Sequence, residues 1–237
     1  MPFNPRGSFR SFFNALMDFV YPPLCLSCQQ LLKHGGDFVC PDCWHSIQVA
    51  VRGSPLYVET SEKLVSSGVI DDLISLYVFE KEGVFQIIAH NLKYAGVQEL
   101  GFDLGRRLGK SFVENGICAD AIIPVPLHRR KFRERGYNQA ELIARGVSEV
   151  SQIPVRCDLV RRKKYTKTQT LLTLHERQEN MEEAFEFVPF KKSEVSEKKY
   201  VVIDDVVTTG STMIACAAVL RASGALGVIG ASAALAE

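Results

Sequence analysis

The sequence predicts an α/β protein built on a mostly parallel sheet with helices on both faces, preceded by a small metal-binding module. Three observations lead there. From Gly83 onward, short continuous apolar runs alternate with stretches of three- and four-residue apolar periodicity, the pattern of buried parallel strands separated by amphipathic helices. Residues 1–50 instead carry two Cys-x-x-Cys pairs and the only tryptophan, Trp44, with little apolar sequence from which to build a core. The length of 237 residues, set against about 150 for a typical domain, leaves room for one full domain and an appendage.

The elements follow in order. Residues 1–50 hold an aromatic-rich helix candidate ending near Tyr21, then the cysteines. Cys25-Leu-Ser-Cys28, eleven residues, and Cys40-Pro-Asp-Cys43 put four thiolates within reach of one tetrahedral Zn²⁺, which so small a segment needs in order to fold. A redox pair fits less well, because neither Cys-x-x-Cys sits in a thioredoxin-like strand–helix setting. His34 and His45 read as surface or packing residues, and Cys118, Cys157 and Cys216 as ordinary thiols. Residues 51–82 carry six acidic residues against three basic ones and a Gly53-Ser54-Pro55 turn signal, and read as a linker running into a first strand at Ile74–Phe79. Residues 83–237 form the main domain. Phe85, Ile88 and Leu92, then Leu100, Leu104, Leu108 and Phe112, mark two helices. Ala121–Ile123 and Tyr200–Ile203 read as buried strands, Asn138–Val150 and Ser211–Ser223 as helices, and a last strand starts at Gly227.

Composition narrows the class. With 46% hydrophobic and 23% charged residues, the chain is an ordinary globular protein, able to bury roughly 70% of its unfolded surface. No apolar run approaches the ~18 residues of a membrane span, and no export signal is read, so a reducing cytoplasm is expected. The formal charge of +1 gives no global attraction to nucleic acid. Residues 129–167 differ, with twelve basic residues against four acidic ones, so anion binding is the local signal.

The stretch Val201-Val202-Ile203-Asp204-Asp205-Val206-Val207-Thr208-Thr209-Gly210-Ser211-Thr212 carries the chemistry. A buried strand ends in two acids, and a hydroxyl-rich turn then opens a helix at the sheet edge where α/β folds take their ligands. The unpaired N–H groups of the helix start and the Thr and Ser hydroxyls can enclose a phosphate, with Gly210 letting the backbone come close. Adjacent carboxylates accept hydrogen bonds from a vicinal diol and can support a hydrated divalent cation. Phosphate and diol together describe a ribose 5-phosphate. A solvated strand end followed by a helix cap explains any two of these features but not the ordered set. A P-loop is excluded because no Gly-Lys-Ser/Thr follows, and a dinucleotide fingerprint because only one glycine is present.

These twelve residues resemble the phosphoribosyl pyrophosphate (PRPP) signature of type I phosphoribosyltransferases. Asp120-Ala-Ile-Ile-Pro-Val-Pro-Leu127, Arg135-Gly-Tyr-Asn-Gln-Ala140, Gln169 with Arg177 and Asn180, and Leu92-Lys-Tyr-Ala-Gly96 are similar to the competence protein ComF branch, itself akin to amidophosphoribosyltransferases. The resemblance implies the type I phosphoribosyltransferase fold after a zinc-ribbon-like module. It implies that Asp204 and Asp205 hold the ribose hydroxyls and that Thr208, Thr209, Gly210, Ser211 and Thr212 hold the 5-phosphate. Pro124, Val125, Pro126 and Leu127, with Arg135, match the loop that grips pyrophosphate through Mg²⁺. Residues 162–180 match a mobile flap contacting ligand through Gln169 and Arg177.

The resemblance further implies a role in DNA uptake and natural transformation. Arg129, Arg130, Lys131 and Arg133 are then candidates for the phosphates of single-stranded DNA, with Phe132 and Tyr137 available for stacking. DNA-uptake helicase or processing proteins join the expected partners. Two readings stay open: transfer of phosphoribose to an unidentified acceptor, or a non-catalytic PRPP- and DNA-binding accessory protein of competence. Glutamine-using relatives begin with a nucleophilic cysteine, whereas this chain begins Met1-Pro2-Phe3, so glutamine-dependent purine synthesis is not expected. Relatives with a second cysteine pair after the tryptophan have no counterpart at residues 51–82, so one zinc is expected, not two.

Overall fold

The computed structural model describes residues 22–32, 37–162, 185–188 and 195–237. The chain divides into two compact units, Met1–Ile47 and Gln48–Glu237. In chain order the described elements are α1 (Pro41–His45), α2 (Pro55–Val65), β1 (Asp72–Val78), α3 (Val84–Tyr94), α4 (Glu99–Glu114), β2 (Ala121–Pro124), α5 (Arg129–Arg135), α6 (Gln139–Ser151), β3 (Val160–Arg162), β4 (Phe185–Phe187), β5 (Lys199–Val207), α7 (Ser211–Ala222) and β6 (Gly227–Leu235).

The first unit is organised by its cysteines. Around Cys25 the chain turns tightly, with the Cys25 N–H donating to the Gln30 carbonyl and the Gln29 N–H to the Cys25 carbonyl. Cys40 caps the single turn α1, its sulfur accepting from the Cys43 N–H, and Pro41 fills the first helical position, where a missing N–H costs nothing. Leu32, Val39, Trp44 and Ile47 supply a small buried apolar cluster.

The second unit is an all-parallel sheet in the order β1-β6-β5-β2, with β3 and β4 pairing antiparallel beside it. Register explains why both faces are apolar. Leu73, Gly230, Val202 and Ile123 form one row across the four strands, and Ile229, Val201 and Ile122 form the neighbouring row on the opposite face. The first row belongs to a core shared with Tyr57 and Leu64 of α2, Met213 and Leu220 of α7, and Phe185 of β4. On the other face α4 and α6 pack along each other and against the strands. Their approach is set by glycine: a Cβ on Gly105 would lie 2.2 Å from the Ile143 carbonyl oxygen, and one on Gly146 would lie 2.4 Å from that of Phe102. Backbone meets backbone there, a fit no larger residue allows.

The structure differs from the sequence reading at four places. The linker expected within residues 51–82 contains helix α2, with Ser54 at its N-cap position and Pro55 in its first turn. Its acids Glu59 and Glu62 face solvent while Tyr57, Thr60 and Leu64 turn inward. The acid pair that followed is structural as well: Asp71 accepts from the Val228 N–H at 2.8 Å and pairs with Arg221, while Asp72 pairs with Arg52 at 3.0 Å. The first strand therefore starts at Asp72, two positions before the expected Ile74. The basic run after Leu127 is a helix, α5, and β5 continues past Ile203 to Val207.

Candidate functional site

The site is created by strands of unequal length. β2 ends at Pro124, level with Ile203 of β5, and the Val125 N–H still reaches the Ile203 carbonyl at 2.8 Å. From Asp204 onward β5 is paired only with β6, so both acids lie beyond the end of β2, on the carboxyl rim. Strand alternation then sends them to opposite faces. Asp205, on the face of Ile203, meets the Lys93 ammonium from the last turn of α3. The ammonium is paired with Asp205 Oδ2, an oxygen otherwise buried and without another hydrogen-bond partner among the described residues. Asp204, on the face of Val202, accepts from the Asp205 N–H at 2.9 Å. Burial, reinforced by the Asp205 charge, holds the Asp204 carboxyl well above the usual carboxylate range.

Past the acids the chain turns through exposed Thr208 and Thr209 into α7. The Thr209 and Ser211 hydroxyls share a hydrogen bond at 2.9 Å, and Thr209 Oγ1 also accepts from the Ser211 N–H at 3.4 Å. The N-cap residue Gly210 has no side chain, so beyond the Ser211 N–H the opening N–H groups of α7 and the positive end of the helix face the turn. Gly210 is required here for packing: its φ is +73°, and a Cβ would lie 2.5 Å from Leu64 Cδ2 of α2.

The same rim carries the Pro124–Leu127 turn. Pro124 and Val125 are buried, Pro126 and Leu127 half-buried. Asn138 fixes the turn from the far side, its Nδ2 donating to the Val125 carbonyl at 2.9 Å while its Oδ1 accepts from the Ala140 N–H to cap α6. His128 caps α5 by accepting from the Arg130 N–H at 3.2 Å. Its pKa is lowered by burial and then by Arg162, Lys131, Arg130 and Arg133, which keeps the imidazole neutral enough to accept and reports the positive field around it.

The basic residues divide. Arg129, Arg130, Lys131 and Arg133 are exposed on α5, and Arg130 pairs with Glu134 at 2.9 Å. With exposed Phe132 and with Leu127, Arg129 and Arg133 line a surface pocket of about 590 Å³. Arg135 turns away: its guanidinium stands 5.3 Å over the Tyr94 ring and donates to Gln139 Oε1. Tyr137, offered as a stacking residue, is half-buried and gives its hydroxyl to the Leu92 carbonyl. Gln169, Arg177 and Asn180 lie outside the described residues. Sequence reasoning gave no role to Lys93, His128 or Asn138, although Lys93 and Asn138 lie in two of the stretches that carried the family resemblance and Asn138 also precedes the α6 periodicity.

In the other unit, Cys25, Cys28, Cys40 and Cys43 bring their four sulfurs within 4.8 Å of one another, with Cys28 and Cys40 at 3.6 Å. A tetrahedron of Zn–S bonds of ~2.3 Å needs sulfurs ~3.8 Å apart, so the quartet fits zinc after a small contraction. Backbone N–H groups of Cys40 and Cys43 point at Cys25 and Cys40 sulfurs at 3.3 and 3.4 Å, an arrangement suited to thiolates.

The phosphoribosyl transferase domain profile matches residues 134–236, and the double zinc ribbon domain profile matches residues 16–55. Competence protein F of Haemophilus influenzae is 30% identical over 208 residues, covering 85% of this chain and 85% of that protein. The chain belongs to the competence protein ComF family. Another ComF-like relative, the DNA utilization protein YhgH of Escherichia coli strain K12, is 32% identical over 146 residues, covering 60% of this chain and 63% of that one. Glutamine PRPP amidotransferase from B. subtilis, solved with ADP and GMP, aligns with a TM-score of 0.42 and 21% identity over 57% of this chain and 26% of that chain. The four cysteines all lie within the residues matched by the double zinc ribbon profile, while Cys118, Cys157 and Cys216 fall in the second unit.

Proposed function

We propose that this ComF-family protein binds PRPP with Mg²⁺ on the carboxyl rim of its sheet and acts in DNA uptake in the cytoplasm. The observation that carries this reading is the β5–α7 connection, where two acids beyond the end of β2 lead into a hydroxyl-rich turn and a helix start whose N-cap residue is glycine. In this reading Thr208, Thr209, Ser211 and Thr212 and the first N–H groups of α7 take the 5-phosphate. Asp204 and Asp205 accept the ribose hydroxyls, and their negative field tolerates positive charge developing at the ribose carbon as the pyrophosphate bond breaks. The Pro124–Leu127 turn, held by Asn138, takes the pyrophosphate side, with Gln169 and Arg177 as flap contacts. The Asp205 carboxylate, paired only with the Lys93 ammonium among the described residues, suits a hydrated Mg²⁺. Bound there with PRPP, the metal would neutralise the departing pyrophosphate.

A second reading, a PRPP- and single-stranded-DNA-binding accessory protein without catalysis, draws on α5. Arg129, Lys131 and Arg133 face solvent without an ion pair among the described residues, and the relatives are named for competence and DNA utilization. Incubation with PRPP, Mg²⁺ and candidate acceptors, DNA included, separates the two. Pyrophosphate release that depends on an acceptor establishes transfer, and PRPP binding without release establishes the accessory role. Absence of PRPP binding at millimolar Mg²⁺ would overturn both.

A further inference from the structure

Lys93 has no part in the ligand scheme above, yet its ammonium sits on one of the two acids. Its backbone is fixed. The Tyr137 hydroxyl holds the Leu92 carbonyl on one side, and the Arg135 guanidinium lies 5.3 Å over the Tyr94 ring on the other. The arm is a flexible four-carbon stem, with its side chain 25% exposed against 19% for Asp205. What holds it among the described residues is its ion pair with Asp205 Oδ2. An ammonium has no lone pair to coordinate a metal or to accept from a hydroxyl, so it cannot share that oxygen with an incoming cation.

We propose that Lys93 is a displaceable counter-cation, resting on Asp205 until phosphoribose and its divalent cation arrive, so that its charge sets how much divalent cation the site requires. The inference rests on the PRPP reading of the acid pair. A lysine at the end of α3 thereby tunes a site built by β5. It also keeps Asp205 compensated while the site is empty, since a partly buried carboxylate without a partner is costly.

The test is a Mn²⁺ titration of the full chain, followed by electron paramagnetic resonance of the free ion, in wild type, Lys93→Gln, Lys93→Arg and Lys93→Gln with Asp205→Asn. Lys93→Gln should bind one Mn²⁺ about tenfold more tightly than wild type. Lys93→Arg should behave as wild type, and the double variant should lose the gain. With PRPP present, half-saturation should need about tenfold less metal in Lys93→Gln, while PRPP affinity at saturating metal stays unchanged. No tightening of Mn²⁺ binding would overturn the inference. So would a collapse of PRPP affinity at saturating metal, which would make Lys93 a ligand contact. A tenfold Mn²⁺ gain in a protein that fails to bind PRPP would support the counter-cation while refuting the ligand assigned to the site.

Discussion

Asp204 and Asp205 are adjacent in the chain, but strand alternation gives one a buried place on the α7 face and the other a lysine on the α3 face. The raised pKa of Asp204 fixes a sign. A carboxyl that ionises with more difficulty in the folded state contributes stability fully present below the unfolded value of about 3.9, lost as pH rises through the folded pKa. Asp204→Asn removes the ionisation. Its thermal midpoint should exceed that of wild type by a margin that widens as pH rises above about 4, read by parallel melts across pH. A margin that stays flat or reverses would mean that burial of Asp204 is compensated. At this scale the strand-end acids and the turn hydroxyls were legible, because local order along the chain encodes them. The Lys93–Asp205 pair was not, because it joins a helix and a strand far apart in sequence. Gly210 was read as letting the backbone approach a phosphate; its contact with Leu64 is a separate packing constraint that only the placement of α2 reveals.

The α4–α6 interlock sets how the face opposite α7 closes. Leu100, Leu104, Leu108 and Phe112 were read as the apolar ridge of α4. The glycines one position further on, Gly101, Gly105 and Gly109, form the contact with α6, a role a hydrophobicity pattern cannot report. Gly105→Ala must push two backbones apart and should cost about 3 kcal/mol, lowering the melting midpoint by roughly 6–12 °C, while exposed Lys110→Ala on the same helix should stay within about 0.5 kcal/mol of wild type. An unchanged midpoint for Gly105→Ala would show that the helices can separate freely. Helix α2 escaped the sequence reading because its acidic outer face dominated the composition, although Ser54-Pro55 was a helix-start signal. Helix α5 escaped because its charges hide any apolar stripe. If its exposed cations bind single-stranded DNA, affinity should fall with salt at a log-log slope of about −0.7 per phosphate neutralised, and Ala at Arg129, Lys131 and Arg133 should make the slope shallower for unrelated sequences. Arg130, already paired with Glu134, should contribute less. Undetectable DNA binding at low salt would remove this role from α5.

Across the whole molecule, two units are stabilised by different means, one by a cysteine quartet around a small cluster and one by a two-faced sheet core. Metal binding and folding of the first unit are therefore linked. Purified protein should contain one zinc per chain, and Cys25→Ser should release it and increase amide exchange across residues 22–47, leaving PRPP binding largely intact. Two zincs by elemental analysis, or none in protein kept free of chelator, would contradict this. The alternation of strands and helices announced the second unit because parallel strands buried on both faces are apolar throughout. Strand order and the short reach of β2, which together leave the acids past the end of β2, depend on pairing that no local pattern records. The central claim is that the strand-end acids and the α7 turn form a PRPP site, and calorimetry with Mg²⁺ and PRPP tests it most directly. Wild type should bind, whereas Asp204→Asn combined with Asp205→Asn should lose binding while melting cooperatively, because neither side chain builds the core. Equal PRPP affinity in the two proteins would contradict the account.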